Sequence, residues 1–202
     1  MSAWEKASKA LIVNLQDSLK RSTVDEVMRF CSFLMETKSR GGTVYLIGAG
    51  RSLEVLMMFR ARVVRSPLKF DLRPLPLFPK PQIEDGDSAL VCTGTGETAS
   101  VLSMTENWLA INRYVGLISS FAAQAFPSKI FSLVTRPNAL VLLSGIAPRD
   151  IQRRRDNPEE TLTPLLELYY DKTVFVPSPT IFELTALVFL ESIIKQLLTT
   201  CQ

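Results

Sequence analysis

Four short, unbroken apolar runs, separated by stretches long enough for a helix, constrain this chain more than any other feature. They are Thr43-Val-Tyr-Leu-Ile47, Ser88-Ala-Leu-Val-Cys92, Tyr114-Val-Gly-Leu-Ile118 and Ala139-Leu-Val-Leu-Leu143, with a weaker fifth from Leu68 to Leu72. A strand covered on only one face alternates apolar with polar residues. A strand covered on both faces has no such alternation, and these runs show none. Between them, Leu53 to Arg65, Ala99 to Asn112 and Ala122 to Leu133 have helical patterning. Alternating strands and helices predict right-handed crossovers and an open parallel sheet with helices on both faces.

Helices also flank this core. Residues Ala3 to Ser39 read as two helical pieces: Leu11, Leu15 and Leu19 recur at helical spacing in the first, and Ser22 or Thr23 caps the second, with Asp25 and Glu26 in its first turn. The apolar face of the second piece is Val27, Phe30, Phe33 and Leu34, and Gly41 and Gly42 end it. A last helix is expected from Thr180 to Thr199. Pro74 to Asp87 and Pro148 to Pro164 read as loops, Arg153 to Arg155 as a solvated face, and Leu165 to Tyr169 as a further short helix. The length of 202 residues suits one domain. The expected organisation is a single domain over 1–202, with N-terminal helices at 1–40, a sheet core at 41–145, an irregular segment at 146–179 and a C-terminal helix at 180–202.

Composition removes several functional classes. The chain has no histidine, the commonest general acid–base and metal ligand. Its cysteines, Cys31, Cys92 and Cys201, have no C-x-x-C spacing, so no metal site and no disulfide framework is expected, and free thiols fit a reducing cytoplasm. A net charge of +3 gives no nucleic-acid footprint and does not oppose an anionic ligand. The first residues, with Glu5 and Lys6, do not read as a signal peptide, and Ile181 to Leu198 carries too many charges to span a membrane.

In such a sheet, ligands bind beyond the carboxyl ends of the strands. Two strand ends carry glycine- and hydroxyl-rich turns that lead into helices, Gly48-Ala-Gly-Arg-Ser52 and Thr93-Gly-Thr-Gly-Glu-Thr98. Glycine lets backbone approach a ligand closely, first-turn N–H groups attract anions, and hydroxyls add neutral hydrogen bonds. The first turn lacks the third glycine of a dinucleotide fingerprint, and the second lacks the Gly-Lys-Ser/Thr ending of a Walker A loop. Either turn alone reads equally as an ordinary strand-to-helix connection, whereas two in one sheet favour a phosphate site.

Thr93-Gly-Thr-Gly-Glu-Thr98 resembles the Ser-x-Ser-Gly-Glu-Thr phosphate loop of SIS (sugar isomerase) domains, with threonine replacing serine. Gly48-Ala-Gly-Arg-Ser52 is similar to their first-strand turn in the form associated with 6-phospho-3-hexuloisomerases. Ile83-Glu-Asp-Gly-Asp87 resembles the stretch before the second loop's strand, and Thr180-Ile-Phe-Glu183 the opening of the isomerases' last helix. The resemblance implies a three-layer α/β sandwich with a five-stranded parallel sheet in flavodoxin-like order. It also implies a homodimer or homotetramer formed through the N-terminal and C-terminal helices. No cofactor or metal is implied.

The same resemblance implies that Ser52, Thr93, Thr95 and Thr98, with the backbone around Gly94 and Gly96, hold a sugar's phosphate. Glu183 would be the base, and Arg51 would meet the oxyanion or the phosphate. The reaction implied converts 3-hexulose 6-phosphate into fructose 6-phosphate through an enediol. Phosphorylation of the 6-hydroxyl stops the 3-ketone from closing a ring on that oxygen, so a ring-opening acid, often histidine in related enzymes, is dispensable. Read from its position alone, Glu183 serves equally as a first-turn carboxylate complementing the helix dipole, and Cys92 as a small core residue. A non-catalytic sugar-phosphate sensor is the alternative function, favoured by the missing histidine and the threonine substitutions.

Overall fold

A computed structural model describes residues 22–76, 81–120, 128–143 and 180–200, together with scattered positions between 5 and 20 that are helical. The first fully described helix, α1 (Val24–Ser39), starts where its sequence says it should. The Thr23 hydroxyl accepts from the Glu26 N–H at 3.1 Å and the Glu26 carboxylate accepts from the Thr23 N–H at 2.8 Å, a reciprocal cap. The elements that follow are β1 (Val44–Ile47), α2 (Arg51–Val64), β2 (Leu72–Pro74), β3 (Ser88–Thr93), α3 (Ala99–Leu109), β4 (Val115–Ser120), α4 (Lys129–Leu133), β5 (Ala139–Leu143) and α5 (Thr180–Thr200).

The strands form one parallel sheet in the order β2-β1-β3-β4-β5. Because side chains alternate across a strand, each apolar run feeds two cores. Val44, Leu46, Leu90, Cys92, Ile118 and Val141 point to one face, where Phe30 of α1, Phe59 of α2 and Phe189 of α5 cover them. Tyr45, Ile47, Ala89, Val91 and Leu117 point to the other, beneath Val101 and Trp108 of α3 and Ile130 of α4. This is the expected three-layer sandwich, and its double cover is why the runs contain so little polarity.

Some boundaries differ from the sequence expectation. The edge strand lies at Leu72–Pro74, pairing Val44 with Leu72, and not at Leu68 to Leu72. Leu68 and Phe70 are buried, but Lys69 between them takes φ 51°, which breaks extended backbone. Pro74 is tolerated because β2 is an edge. Helix α3 stops before Asn112, whose side chain is committed to the Asp87 carbonyl at 2.8 Å and the Tyr114 N–H at 2.8 Å. Strand β4 runs on to Ser120, past Ile118. Of the helix expected from Ala122, Lys129–Leu133 is described. The expected loop at Pro148 to Pro164, Arg153 to Arg155 and the short helix at Leu165 to Tyr169 lie outside the described residues.

The strand order places the site. The chain leaves β1 toward β2 and leaves β3 toward β4, in opposite directions across the sheet. The crevice beyond the carboxyl ends of β1 and β3 is therefore the topological switch point. Ile47 pairs with Val91, so the two turns that follow these strands lie side by side.

Candidate functional site

The two turns and the start of α5 enclose a cavity of about 280 Å³. The first turn contributes Gly50, Arg51 and Ser52, and the second contributes Thr93, Gly94, Thr95 and Thr98. Cys92 and Val101 are also in the lining, as are Phe182 and Glu183 from the first turn of α5. The structure thus brings together all the site residues singled out in the sequence except Gly96.

Gly96 turns the other way. It has φ 67°, and a Cβ there would lie 2.2 Å from the Ser128 hydroxyl oxygen and 2.7 Å from Ile130. Its carbonyl accepts from the Ile130 N–H at 3.1 Å. Its place is at the joint between the turn and α4, where only glycine fits. The neighbouring Glu97 carboxylate accepts from the Lys129 N–H at 3.1 Å, a second tie between the turn and α4.

The second turn is held from within and from behind. The Thr93 hydroxyl accepts from the Gly96 N–H at 3.1 Å, and the Thr95 hydroxyl from the Glu97 N–H at 3.3 Å. Each hydroxyl keeps its own proton to donate. From β4, the Ser119 hydroxyl donates to the Thr93 carbonyl at 2.8 Å and the Ser120 hydroxyl to the Gly94 carbonyl at 2.6 Å. Thr98 is the N-cap of α3, yet its side chain makes no capping hydrogen bond, and Gly50 gives α2 no side-chain cap. An ordinary capped turn satisfies its helix's first N–H groups with the cap side chain, and neither of these turns does.

Glu183 is the electrostatically unusual group. It is half-buried, and its Oε2 is enclosed with no hydrogen-bond partner among the described residues. Burial raises its pKa; the Arg51 charge and a hydrogen bond from its own backbone N–H oppose the rise without cancelling it. Cys92 lies fully buried beneath it. Burial, and then the Glu183 charge, push the thiol far above its ordinary range, so it stays a neutral core residue. The site is therefore one carboxylate of raised basicity facing a cation and a row of neutral hydroxyls.

Sequence reasoning missed Ser119, Ser120 and Phe182. The serines were visible as hydroxyls directly after an apolar run, the same signal that marked Thr93. Phe182 is 2% exposed, and its ring lies 2.9 Å from where a Gly94 Cβ would sit, so it packs directly on the second turn.

No protein-family model matches the chain. An uncharacterized protein of Archaeoglobus fulgidus is 22% identical over 188 residues, 93% of this chain and 84% of its own length. Among solved structures, a hypothetical protein from Methanococcus jannaschii, whose structure infers a molecular function of 3-hexulose-6-phosphate isomerase, is similar with a TM-score of 0.63. It is 18% identical, and the match covers 98% of this chain and 90% of that one. The Vibrio vulnificus NanR protein complexed with ManNAc-6P matches with a TM-score of 0.63 at 14% identity, over 96% of this chain and 61% of its own. At such identities the likeness is one of backbone architecture. Among the described residues, no helix is long and apolar enough to cross a membrane. The five-stranded parallel sheet, its strand order and its flanking helices give this chain the α/β fold of SIS-type phosphosugar-isomerase structures.

Proposed function

We propose that this protein is a sugar-phosphate isomerase that interconverts 3-hexulose 6-phosphate and fructose 6-phosphate. The observation that carries the reading is a partly desolvated carboxylate, Glu183, sharing one cavity with Arg51 and the hydroxyl-lined turn. The likeness in fold to a structure that infers this activity supports it.

The chemistry needs one proton moved between adjacent carbons. Glu183 takes the proton from C2 of the 3-ketose, O3 gains a proton as the C2–C3 enediol forms, and the carbon-bound proton returns to C3 as O2 gives up its own proton and the carbonyl forms at C2. A base works best when its pKa lies near the working pH, and burial moves Glu183 in that direction. Arg51 offsets the negative charge that develops on the enediol oxygens or holds the phosphate. Ser52, Thr93, Thr95 and Thr98, with the backbone at Gly94, receive the phosphate as neutral donors.

The test is a coupled assay for fructose 6-phosphate formation, comparing wild type with Glu183→Gln. Turnover in the variant is expected to fall by about 10²–10⁴-fold, the usual contribution of a positioned base, with sugar-phosphate binding retained. A second reading, a sugar-phosphate sensor without turnover, is favoured by the complete absence of histidine. An inactive wild type that is nonetheless stabilised thermally by a sugar phosphate would replace the first reading with the second.

A further inference from the structure

The two serines at the end of β4 have no place in the chemistry above, yet both are fully buried. An apolar strand end would pack as well, so a hydroxyl at each position has to be explained by what it bonds. Ser119 donates to the carbonyl of Thr93 and Ser120 to the carbonyl of Gly94, two consecutive peptide groups of the second turn. In a trans peptide the C=O of one residue and the N–H of the next point in opposite directions. A donor that holds the Thr93 carbonyl on the β4 side turns the Gly94 N–H away from β4. A donor on the Gly94 carbonyl does the same for the Thr95 N–H.

Gly94 and Thr95 line the cavity. Gly94 is also braced by the Phe182 ring. The turn itself is closed by the hydrogen bond from Gly96 N–H to the Thr93 hydroxyl. Without the serines, either carbonyl can swing toward the cavity, where it presents negative charge to an anion.

We infer that Ser119 and Ser120 are positioning residues that hold the Thr93 and Gly94 carbonyls back so that the Gly94 and Thr95 amides face the bound phosphate. The inference rests on the sugar-phosphate reading of this site. The serines act through the backbone of the turn and touch no substrate. The register pairing Thr93 with Ser119 delivers the first hydroxyl to the first carbonyl, and the next residue along β4 delivers the second.

The experiment is a titration of wild type, Ser119→Ala, Ser120→Ala and the double variant with inorganic phosphate and with fructose 6-phosphate. Binding is followed by calorimetry and by the amide resonances of Gly94 and Thr95, and each variant's melting temperature is recorded. Each single loss is expected to weaken binding roughly fivefold, the range of one hydrogen bond, and the double loss more. The phosphate-induced shifts of the Gly94 and Thr95 amides should shrink in parallel. Ser120→Thr, which keeps the hydroxyl, should restore both. Ser120→Cys, close in shape and a weak donor, carries the test if alanine prevents folding. A merely structural role would lower the melting temperature and leave affinity and amide shifts unchanged, and that result overturns the inference. If wild type binds neither ligand, the sugar-phosphate reading itself fails, and the serines' role toward phosphate fails with it.

Discussion

The two turns that meet at the switch point look alike in sequence and are built on different physics. The turn after β1 is open at Gly50. Gly50, at φ 53° and ψ −133°, opens α2, its carbonyl accepts from the Leu53 and Glu54 N–H groups, and a Cβ added at Gly50 would meet nothing within 4 Å. What sets it apart in the cavity is a cation, Arg51, beside the Ser52 hydroxyl. The turn after β3 is tied on every side, by its own threonines, by Ser119 and Ser120 of β4, and by contacts with α4 and Phe182. It offers neutral donors in a fixed frame. One turn supplies charge, which acts at a distance and tolerates some movement. The other supplies hydrogen bonds, which do not.

Glycine substitution should break this contrast most visibly. Gly96→Ala meets both an unfavourable φ and the Ser128 and Ile130 side chains, so the backbone strain of about 1–3 kcal/mol is joined by about 1–3 kcal/mol of overpacking. Gly50→Ala has open space and bears the strain alone. Chemical denaturation of the two variants should rank Gly96→Ala as clearly less stable, and equal losses would mean that the second turn is no more tightly packed than the first.

Ligand binding separates the turns by charge. Arg51→Gln should weaken sugar-phosphate binding by roughly 10- to 100-fold, the range of a charge-assisted hydrogen bond. It should also flatten the dependence of affinity on salt, because a partly exposed charge is screened. Thr95→Val should cost about fivefold and leave the salt dependence as it is in wild type. The same salt slope in both variants would remove the distinction between a charged turn and a neutral one.

The smallest expected effect concerns Glu183, which stands between the turns. Its pKa is raised from the ordinary 4.5 on folding. Between the unfolded value and the raised folded value the native state binds more protons than the unfolded state, so stability falls as pH rises through that window. Above it the penalty of a partly buried charge is complete, and below the unfolded value it is absent. Glu183→Gln should therefore melt at a higher temperature than wild type near neutral pH and at the same temperature below about pH 4. Equal melting temperatures at neutral pH would show that the carboxylate carries no burial penalty.

The fold was legible where the physics is local or repetitive. Both faces of β1, β3, β4 and β5 are covered, so each reads as an unbroken apolar run. Thr23 and Glu26 satisfy one another within a single turn. The edge strand was misplaced because its apolar signal belongs to Leu68 and Phe70, which are buried by side chain while Lys69 turns the backbone between them. Leu72–Pro74, paired on one side and partly exposed, carries little signal of its own. In the site, the threonines, Arg51 and Glu183 were visible as residue types suited to the chemistry. The direction of Gly96 was not, because it depends on where α4 packs. The use of Ser119 and Ser120 was hidden as well, since it follows from the register between β3 and β4.

By itself the sequence determined which segments become β1, β3, β4 and β5, where α1 starts and which two turns follow the strand ends at the switch point. These follow from the spacing of apolar residues and from hydrogen bonds between near neighbours. Only the tertiary structure decided that α5 brings Glu183 over the ends of β1 and β3, that burial there outweighs the Arg51 charge in setting its pKa, and that β4 holds two carbonyls of the second turn. Those outcomes depend on desolvation and on fields from groups far apart in the chain, and neither exists until the segments have packed.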